Sequence, residues 1–177
     1  VLILGIGNRL LMDEGLGSCF AEALGGLSLP EWIEVVDGGL GGLSLLDYME
    51  DIDVLFIIDA LSEEYGPPGT VEILKVNPEA IDPREALRMV TEEGSHGIVP
   101  EVLLAAASAL GTLPPKSYVV GIVPQTVELG DKLTDTALNG CVKALSLIMR
   151  ILDKEGLKLN VKPQDFKERL IEVCGKP

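Results

Sequence analysis

The chain has 177 residues, of which 47% are hydrophobic and 24% charged, and its formal net charge at pH 7 is −14. This length fits one domain, and the mean hydropathy of +0.33 excludes an intrinsically disordered chain. The negative charge would repel a phosphate backbone, which disfavours nucleic-acid binding, and no apolar stretch reaches the ~20 residues of a membrane-spanning helix. No signal peptide is recognisable, so we expect a cytoplasmic protein without membrane insertion.

Five short apolar runs predict β-strands, at intervals that leave room for helices between them. A run without alternation, such as Val54–Ile58, is typical of a parallel sheet that is covered on both faces. Charged Glu72 and Lys75 indicate that the fourth run is an edge strand. The predicted strands are Val1–Leu4, Ile33–Val36, Val54–Ile58, Val71–Val76 and Tyr118–Ile122.

Helical periodicity occupies the segments between the strands and after the last one. Thr134 is predicted to cap the longest helix. Alternating strands and helices predict a three-layer α/β/α sandwich. We expect a single domain over 1–152 and, because the charge balance shifts after Leu152, a C-terminal helical appendix over 153–177 that packs on the domain or trails from it. The predicted helices are Gly15–Leu27, Leu43–Met49, Val99–Leu110, Thr134–Leu152 and Lys162–Cys174.

The three cysteines are Cys19, Cys141 and Cys174. Their number is odd, they lie far apart, and they form no C-x-x-C motif or zinc spacing. We therefore predict buried structural thiols.

Polar residues and glycines follow three of the predicted strands. Gly5-Ile6-Gly7-Asn8 follows the first strand, Asp37-Gly38-Gly39 the second, and Asp59 the third. Ligands of open α/β sheets bind beyond the carboxyl ends of the strands, so these residues are site candidates. Glu14, at the end of the loop after the first strand, and His96, the single histidine, complete the candidate set.

Three kinds of site could lie beyond the carboxyl ends of these strands, and the candidate residues fit them to different degrees. Gly5-Ile6-Gly7 begins a dinucleotide fingerprint, but Leu10 stands where that fingerprint needs its third glycine. A nucleophilic hydrolase is disfavoured because no G-x-S-x-G elbow occurs. Glu14, Asp59 and His96 form a mixed oxygen and nitrogen donor set that suits zinc, nickel, cobalt or iron. From the residues alone this set is only suggestive, because a lone loop histidine is more often solvated or a cap than a ligand, and acids at strand ends often cap the next helix.

The segment Gly5–Gly15 resembles the N-terminal signature of the hydrogenase maturation endopeptidases. These proteases trim the C-terminus of the large subunit of nickel–iron hydrogenases. The similarity continues to about Leu152, in the family's order and spacing. Its further matches are Val36–Gly39, Ile57–Ala60, Ser95–Gly97 and Val120–Gln125.

This resemblance implies a five-stranded, mostly parallel mixed sheet with one antiparallel strand, which we assign to Val71–Val76. It implies that Glu14, Asp59 and His96 contact a metal and are the catalytic residues. The family's metal is thought to be nickel already inserted in the precursor, which serves as the recognition signal. We accordingly expect nickel to arrive with the substrate and no nucleotide or organic cofactor.

Asp37, together with Gly38, Gly39 and Asn8, is a candidate for substrate binding. The Asp37 carboxylate can accept hydrogen bonds from a substrate backbone, although a turn role at a strand end explains it equally well.

The predicted function is an endopeptidase that removes the C-terminal extension from the nickel-loaded large subunit precursor of a nickel–iron hydrogenase. The precursor is the expected partner. The alternative is a non-proteolytic nickel-binding or chaperone-like module that recognises the loaded subunit without cutting it.

Overall fold

The centre of the fold is a five-stranded sheet in the order β2-β1-β3-β5-β4. The computed structural model describes residues 1–82, 84, 88 and 100–175. Three strands extend two or three residues beyond their predicted carboxyl ends, because glycine and aspartate positions still join the hydrogen-bond ladder. The strands are β1 (Leu2–Ile6), β2 (Glu34–Gly39), β3 (Val54–Ala60), β4 (Val71–Lys75) and β5 (Lys116–Ile122).

The sheet is mixed, as the resemblance implies. β1 pairs in parallel with β2 and β3, and β3 pairs in parallel with β5. β4 lies at the edge and runs antiparallel to β5. The carboxyl ends of β1, β2, β3 and β5 therefore lie side by side along one border of the sheet, which we call the carboxyl edge.

Helices cover both faces of the sheet, which confirms the three-layer sandwich. Helices α1, α3 and α4 pack on the face that Ile3 and Phe56 present, whereas α2 and a 3-10 segment pack on the face that Leu4 and Ile57 present. The segment Leu43–Met49, predicted as a short helix, belongs to that 3-10 segment, Gly42–Met49. The helices are α1 (Leu16–Gly25), α2 (Pro100–Leu110), α3 (Asp135–Lys154) and α4 (Pro163–Cys174), and the other 3-10 segments are Met12–Gly15, Glu63–Tyr65 and Pro78–Ala80.

The chain after α3 returns to the same core. α4 lies against α1, and the Phe166 and Phe20 rings pack with their centroids 4.9 Å apart. Leu170 is also fully buried in the cluster that contains α1 and α3. The backbone carbonyl of Cys174 accepts a hydrogen bond from the Leu133 N–H at 2.8 Å, just before α3.

Cys19 and Cys174 form a disulfide, so the prediction of separate thiols is wrong for this pair. The two cysteines are 155 residues apart in sequence, and only the packing of α4 on α1 brings them together. Cys141 is a free, buried thiol, as predicted.

Within the described ranges, no helix is long and apolar enough to cross a membrane. The predicted helix start at Val99 lies outside the described residues, and α2 is described from Pro100.

Candidate active site

Glu14 and Asp59 meet at the carboxyl edge. Asp59 is the penultimate residue of β3, and Glu14 lies in the 3-10 turn Met12–Gly15 that follows the loop after β1. Because β1 and β3 are parallel neighbours, this loop and the end of β3 come together. Both side chains are half-buried. The two acids are thus brought together, as predicted.

The two carboxyl groups influence each other electrostatically. Burial raises the pKa of Glu14 above its ordinary value. Burial is also the main reason why the pKa of Asp59 rises to about 8; the Ala60 N–H opposes this rise, and the charges of Glu14 and Glu101 add to it. Near neutral pH, Asp59 therefore retains a proton, which the approach of a cation would displace.

Glycines allow α1 to lie directly on the ends of the central strands. A Cβ atom on Gly17 would lie 2.2 Å from the carbonyl oxygens of both Ile6 and Ile58. Gly7, the first residue of the loop after β1, has φ +145°, and a Cβ there would lie 2.1 Å from the Glu14 carbonyl oxygen. Any side chain at Gly7 or Gly17 would push the turn that carries Glu14 away from β3.

Hydrogen bonds to Asp13 join this turn to other segments of the carboxyl edge. Its fully buried carboxylate accepts hydrogen bonds from the N–H groups of Gln125 at 2.9 Å, Thr126 at 3.2 Å and Thr134 at 2.7 Å, and from the Thr134 hydroxyl at 2.7 Å. Four donors make this a fully satisfied buried carboxylate. It joins the Glu14 turn to the loop after β5 and to the start of α3.

The role of Asp13 was missed at the sequence level. Its partners include three backbone N–H groups more than a hundred residues away, which no side-chain pattern displays. The available signal was the adjacency of Asp13 and Glu14, since two consecutive acids in one short turn cannot both face the same site. Thr134 caps α3, as predicted, through a hydrogen bond from the Ala137 N–H at 3.2 Å.

The predicted substrate-binding residues lie further along the same edge. Asp37 Oδ1 accepts a hydrogen bond from the Gly39 N–H at 3.1 Å, and Asn8 Oδ1 accepts one from the Leu10 N–H at 3.0 Å. Gly7 donates to the Gly39 carbonyl at 3.0 Å, which joins the loops after β1 and β2. These bonds explain the residues as turn formers, and substrate binding by Asp37, Gly38, Gly39 and Asn8 stays a prediction.

A cleft of about 460 Å³ opens beside Glu14. A larger cavity, of about 550 Å³, lies between the end of α3 and the segment that leads into α4, away from the two acids. We place the site by its chemistry rather than by volume, because the smaller cleft is lined by Glu14 and by Ala60, the neighbour of Asp59 in β3, and both acids have a raised pKa. Its lining residues are Glu14, Ala60, Leu61, Ser62, Glu63, Pro124, Gln125 and Val127.

His96, the third predicted ligand, lies outside the described residues. Among the residues that the structure describes, no group of three or more His, Cys, Asp or Glu side chains is placed to hold a metal ion. The described part of the site consists of the two carboxyl groups, and the role of His96 stays a prediction.

Sequence comparisons place this chain among proteins of one kind. A family model described as hydrogenase maturation protease matches residues 20–151. The hydrogenase 2 maturation protease of Escherichia coli strain K12 is 32% identical over 159 residues, which cover 89% of this chain and 93% of that protein. The hydrogenase expression/formation protein HoxM of Azotobacter vinelandii is 30% identical, over 89% of this chain and 74% of that protein.

Solved structures agree with these matches. The hydrogenase maturating endopeptidase from E. coli superposes with a TM-score of 0.71 at 32% identity, covering 89% of this chain and 94% of that one. The hydrogenase 2 maturation peptidase from a Thaumarchaeota archaeon has a TM-score of 0.65 at 25% identity, covering 89% of this chain and 98% of that one. The resemblance seen in the Gly5–Gly15 signature is confirmed by both comparisons.

Proposed function

This chain belongs to the hydrogenase maturation protease family and is an endopeptidase, and we propose that it removes the C-terminal extension from the nickel-loaded large subunit precursor of a nickel–iron hydrogenase. In this proposal the nickel is part of the substrate. The protease contacts it with Glu14, Asp59 and His96, and so reads whether the precursor has been loaded before it cuts.

The observation that carries the proposal is the Glu14–Asp59 pair beside the cleft. Burial raises the pKa of both half-buried carboxyl groups, and the charge of Glu14 adds to the rise at Asp59, so a cation that entered the site would offset the cost of ionising them. Carboxylate oxygens and an imidazole nitrogen suit nickel, and this donor set contains no thiolate. Such a set binds metal modestly by itself, which favours a metal that the precursor's own ligands help to hold.

Hydrolysis requires that a water attack the scissile carbonyl and that the leaving amine gain a proton. We assign the proton transfer to Asp59, because the approach of the nickel displaces the proton that this half-buried carboxyl group otherwise retains, and the ionised group can then act as a general base. Ionised Asp59 takes a proton from the attacking water and returns it to the amine nitrogen as the C–N bond breaks. Glu14 would contact the same nickel beside Asp59 and so help to position the scissile peptide.

The test is the mass of the precursor after incubation with the protease. Nickel-loaded precursor should lose a mass equal to one C-terminal peptide. The protease should release the shortened precursor after each cut, so that one protease molecule processes many precursor molecules. A precursor that binds tightly but keeps its full mass would contradict cleavage, and would favour the chaperone-like module instead.

A further inference from the structure

Large apolar side chains are concentrated in the loops of the carboxyl edge. Leu10 is 66% exposed in the loop after β1, and Leu129 is 87% exposed in the loop after β5. Val127 also follows β5, and Leu40 and Leu43 follow β2; all three are exposed. We call these five side chains the apolar rim.

Backbone hydrogen bonds join the loops that carry Leu10 and Leu129. The Gly130 N–H donates to the Leu10 carbonyl at 2.9 Å, and the Met12 N–H donates to the Gly130 carbonyl at 2.9 Å. Leu10 and Leu129 therefore lie in two loop segments that run side by side. Val127 lines the cleft together with Glu14. The rim therefore borders the candidate active site.

The same loops are strongly acidic. The segments 7–15, 37–49, 59–70 and 123–134 contain nine Asp or Glu residues and two basic residues, Arg9 and Lys132. Arg9 is paired with Glu22 on α1 and lies 4.0 Å from the Asp37 carboxylate, so its charge is already balanced by acids of this chain. A partner that covers the rim without repulsion must present apolar residues together with basic ones.

We propose that the apolar rim is the docking surface for the folded body of the precursor, on the part of its surface next to the C-terminal extension. The proposal rests on the function proposed above, because it concerns recognition of the same substrate. Exposed apolar side chains in the loops beside a cleft are typical of a protein-binding surface. Because Val127 belongs to both the rim and the cleft lining, a protein that is cut there contacts the rim, which selects the precursor as its occupant.

A second copy of this chain is a poorer occupant than the precursor. The chain has a net charge of −14, and its carboxyl edge is among its acidic surfaces, so two copies that met through the rim would repel each other. A basic and apolar patch on the precursor would instead bury the leucines and neutralise the surrounding carboxylates.

The rim is tested with the double variant Leu10→Ser and Leu129→Ser, which removes two apolar surfaces without disturbing a buried side chain. Leu110→Ser is the matched control: Leu110 is also 66% exposed, but it ends α2 before β5, at the opposite border of the sheet. The affinity for nickel-loaded precursor is measured by calorimetric titration, and the cleavage rate is measured separately.

The double variant should bind the precursor at least about tenfold more weakly, and its cleavage should show a raised KM with kcat near that of the parent. The Leu110→Ser variant should match the parent in both. Unchanged affinity in the folded double variant would overturn the docking surface while leaving the proposed cleavage intact. If the parent binds the precursor but never cuts it, the proposed function fails, and the affinities still decide whether the rim docks it.

Sedimentation of the protease alone tests whether a second copy of this chain covers the rim. If the parent is a dimer that the double variant converts to a monomer, with precursor affinity unchanged, the rim is a contact between copies and the proposal is wrong. A monomeric parent with the affinity loss described above supports docking of the precursor.

Discussion

Glu14 is the residue through which metal recognition is most directly tested. Glu14→Gln keeps the shape of the side chain but removes its charge, so nickel contact and cleavage of loaded precursor should fall by on the order of 100-fold or more. His96→Ala should have the same effect if the histidine is the third ligand. Cleavage is followed by mass spectrometry, with Glu50→Gln, an exposed glutamate outside the site, as the control. Normal cleavage by folded Glu14→Gln protein would remove Glu14 from the mechanism.

Asp59 makes stability depend on pH in a predictable direction. Its pKa of about 8 in the folded protein lies above the ordinary value of 3.8, so the folded state keeps a proton that the unfolded chain has lost. Stability should therefore fall as the pH rises from about 4 to about 8, and Asp59→Asn should remove this loss.

The expected gain for Asp59→Asn is on the order of 2 kcal/mol above pH 8 and near zero below pH 4, since partial exposure screens the full shift. Urea unfolding at a series of pH values measures it. Asp47→Asn, at an exposed position, serves as the control and should leave the profile unchanged. A difference between Asp59→Asn and the parent that does not vary with pH would contradict the raised pKa.

Asp13 should be important for stability as well as for the placement of Glu14. In the parent, four donors contact the Asp13 carboxylate. In Asp13→Asn one of its oxygens is replaced by an NH₂ group, so the free energy of unfolding should fall by about 3 kcal/mol. Chemical denaturation measures this loss. Thr134→Ser keeps the hydroxyl that Asp13 accepts from, and it should cost much less; equal losses for the two variants would argue against the carboxylate as the common acceptor.

At the scale of elements, the Cys19–Cys174 disulfide joins the first and last helices. Closing so long a loop should stabilise the protein by about 3–5 kcal/mol relative to its reduced form. Guanidinium unfolding with and without a reducing agent tests this, and Cys174→Ser should make the midpoint insensitive to reduction. If the midpoint of the parent does not change on reduction, the cross-link does not form in solution.

Local patterns predicted the elements better than they predicted the contacts between them. The strand order along the chain and the position of Asp59 follow from apolar runs that end at polar residues. The Cys19–Cys174 bond and the Asp13 hydrogen bonds join residues more than a hundred positions apart, and they depend on the packing of α4 and of the loop after β5. The spacing of residues along the sequence does not predict that packing.

At the scale of the whole molecule, the sheet assembles one acidic, apolar-rimmed edge from loops that follow four strands. The antiparallel β4 closes the sheet on the opposite side from β2, so it leaves the parallel carboxyl edge undisturbed. Glu14 is held there by α1 and Asp13, and Asp59 by β3. The edge combines a pair of carboxyl groups of raised pKa with exposed apolar side chains, and both features fit the proposed recognition of a metal-loaded precursor.

Recognition of nickel that the substrate carries, as proposed above, is tested by exchanging the source of the metal. Protease treated with a chelator and then dialysed is mixed with nickel-loaded precursor, and zinc-loaded protease is mixed with nickel-free precursor. We expect cleavage in the first mixture and none in the second. Efficient cutting of nickel-free precursor by the zinc-loaded protease would show that the metal belongs to the enzyme, and the proposed recognition of substrate-borne nickel would be wrong.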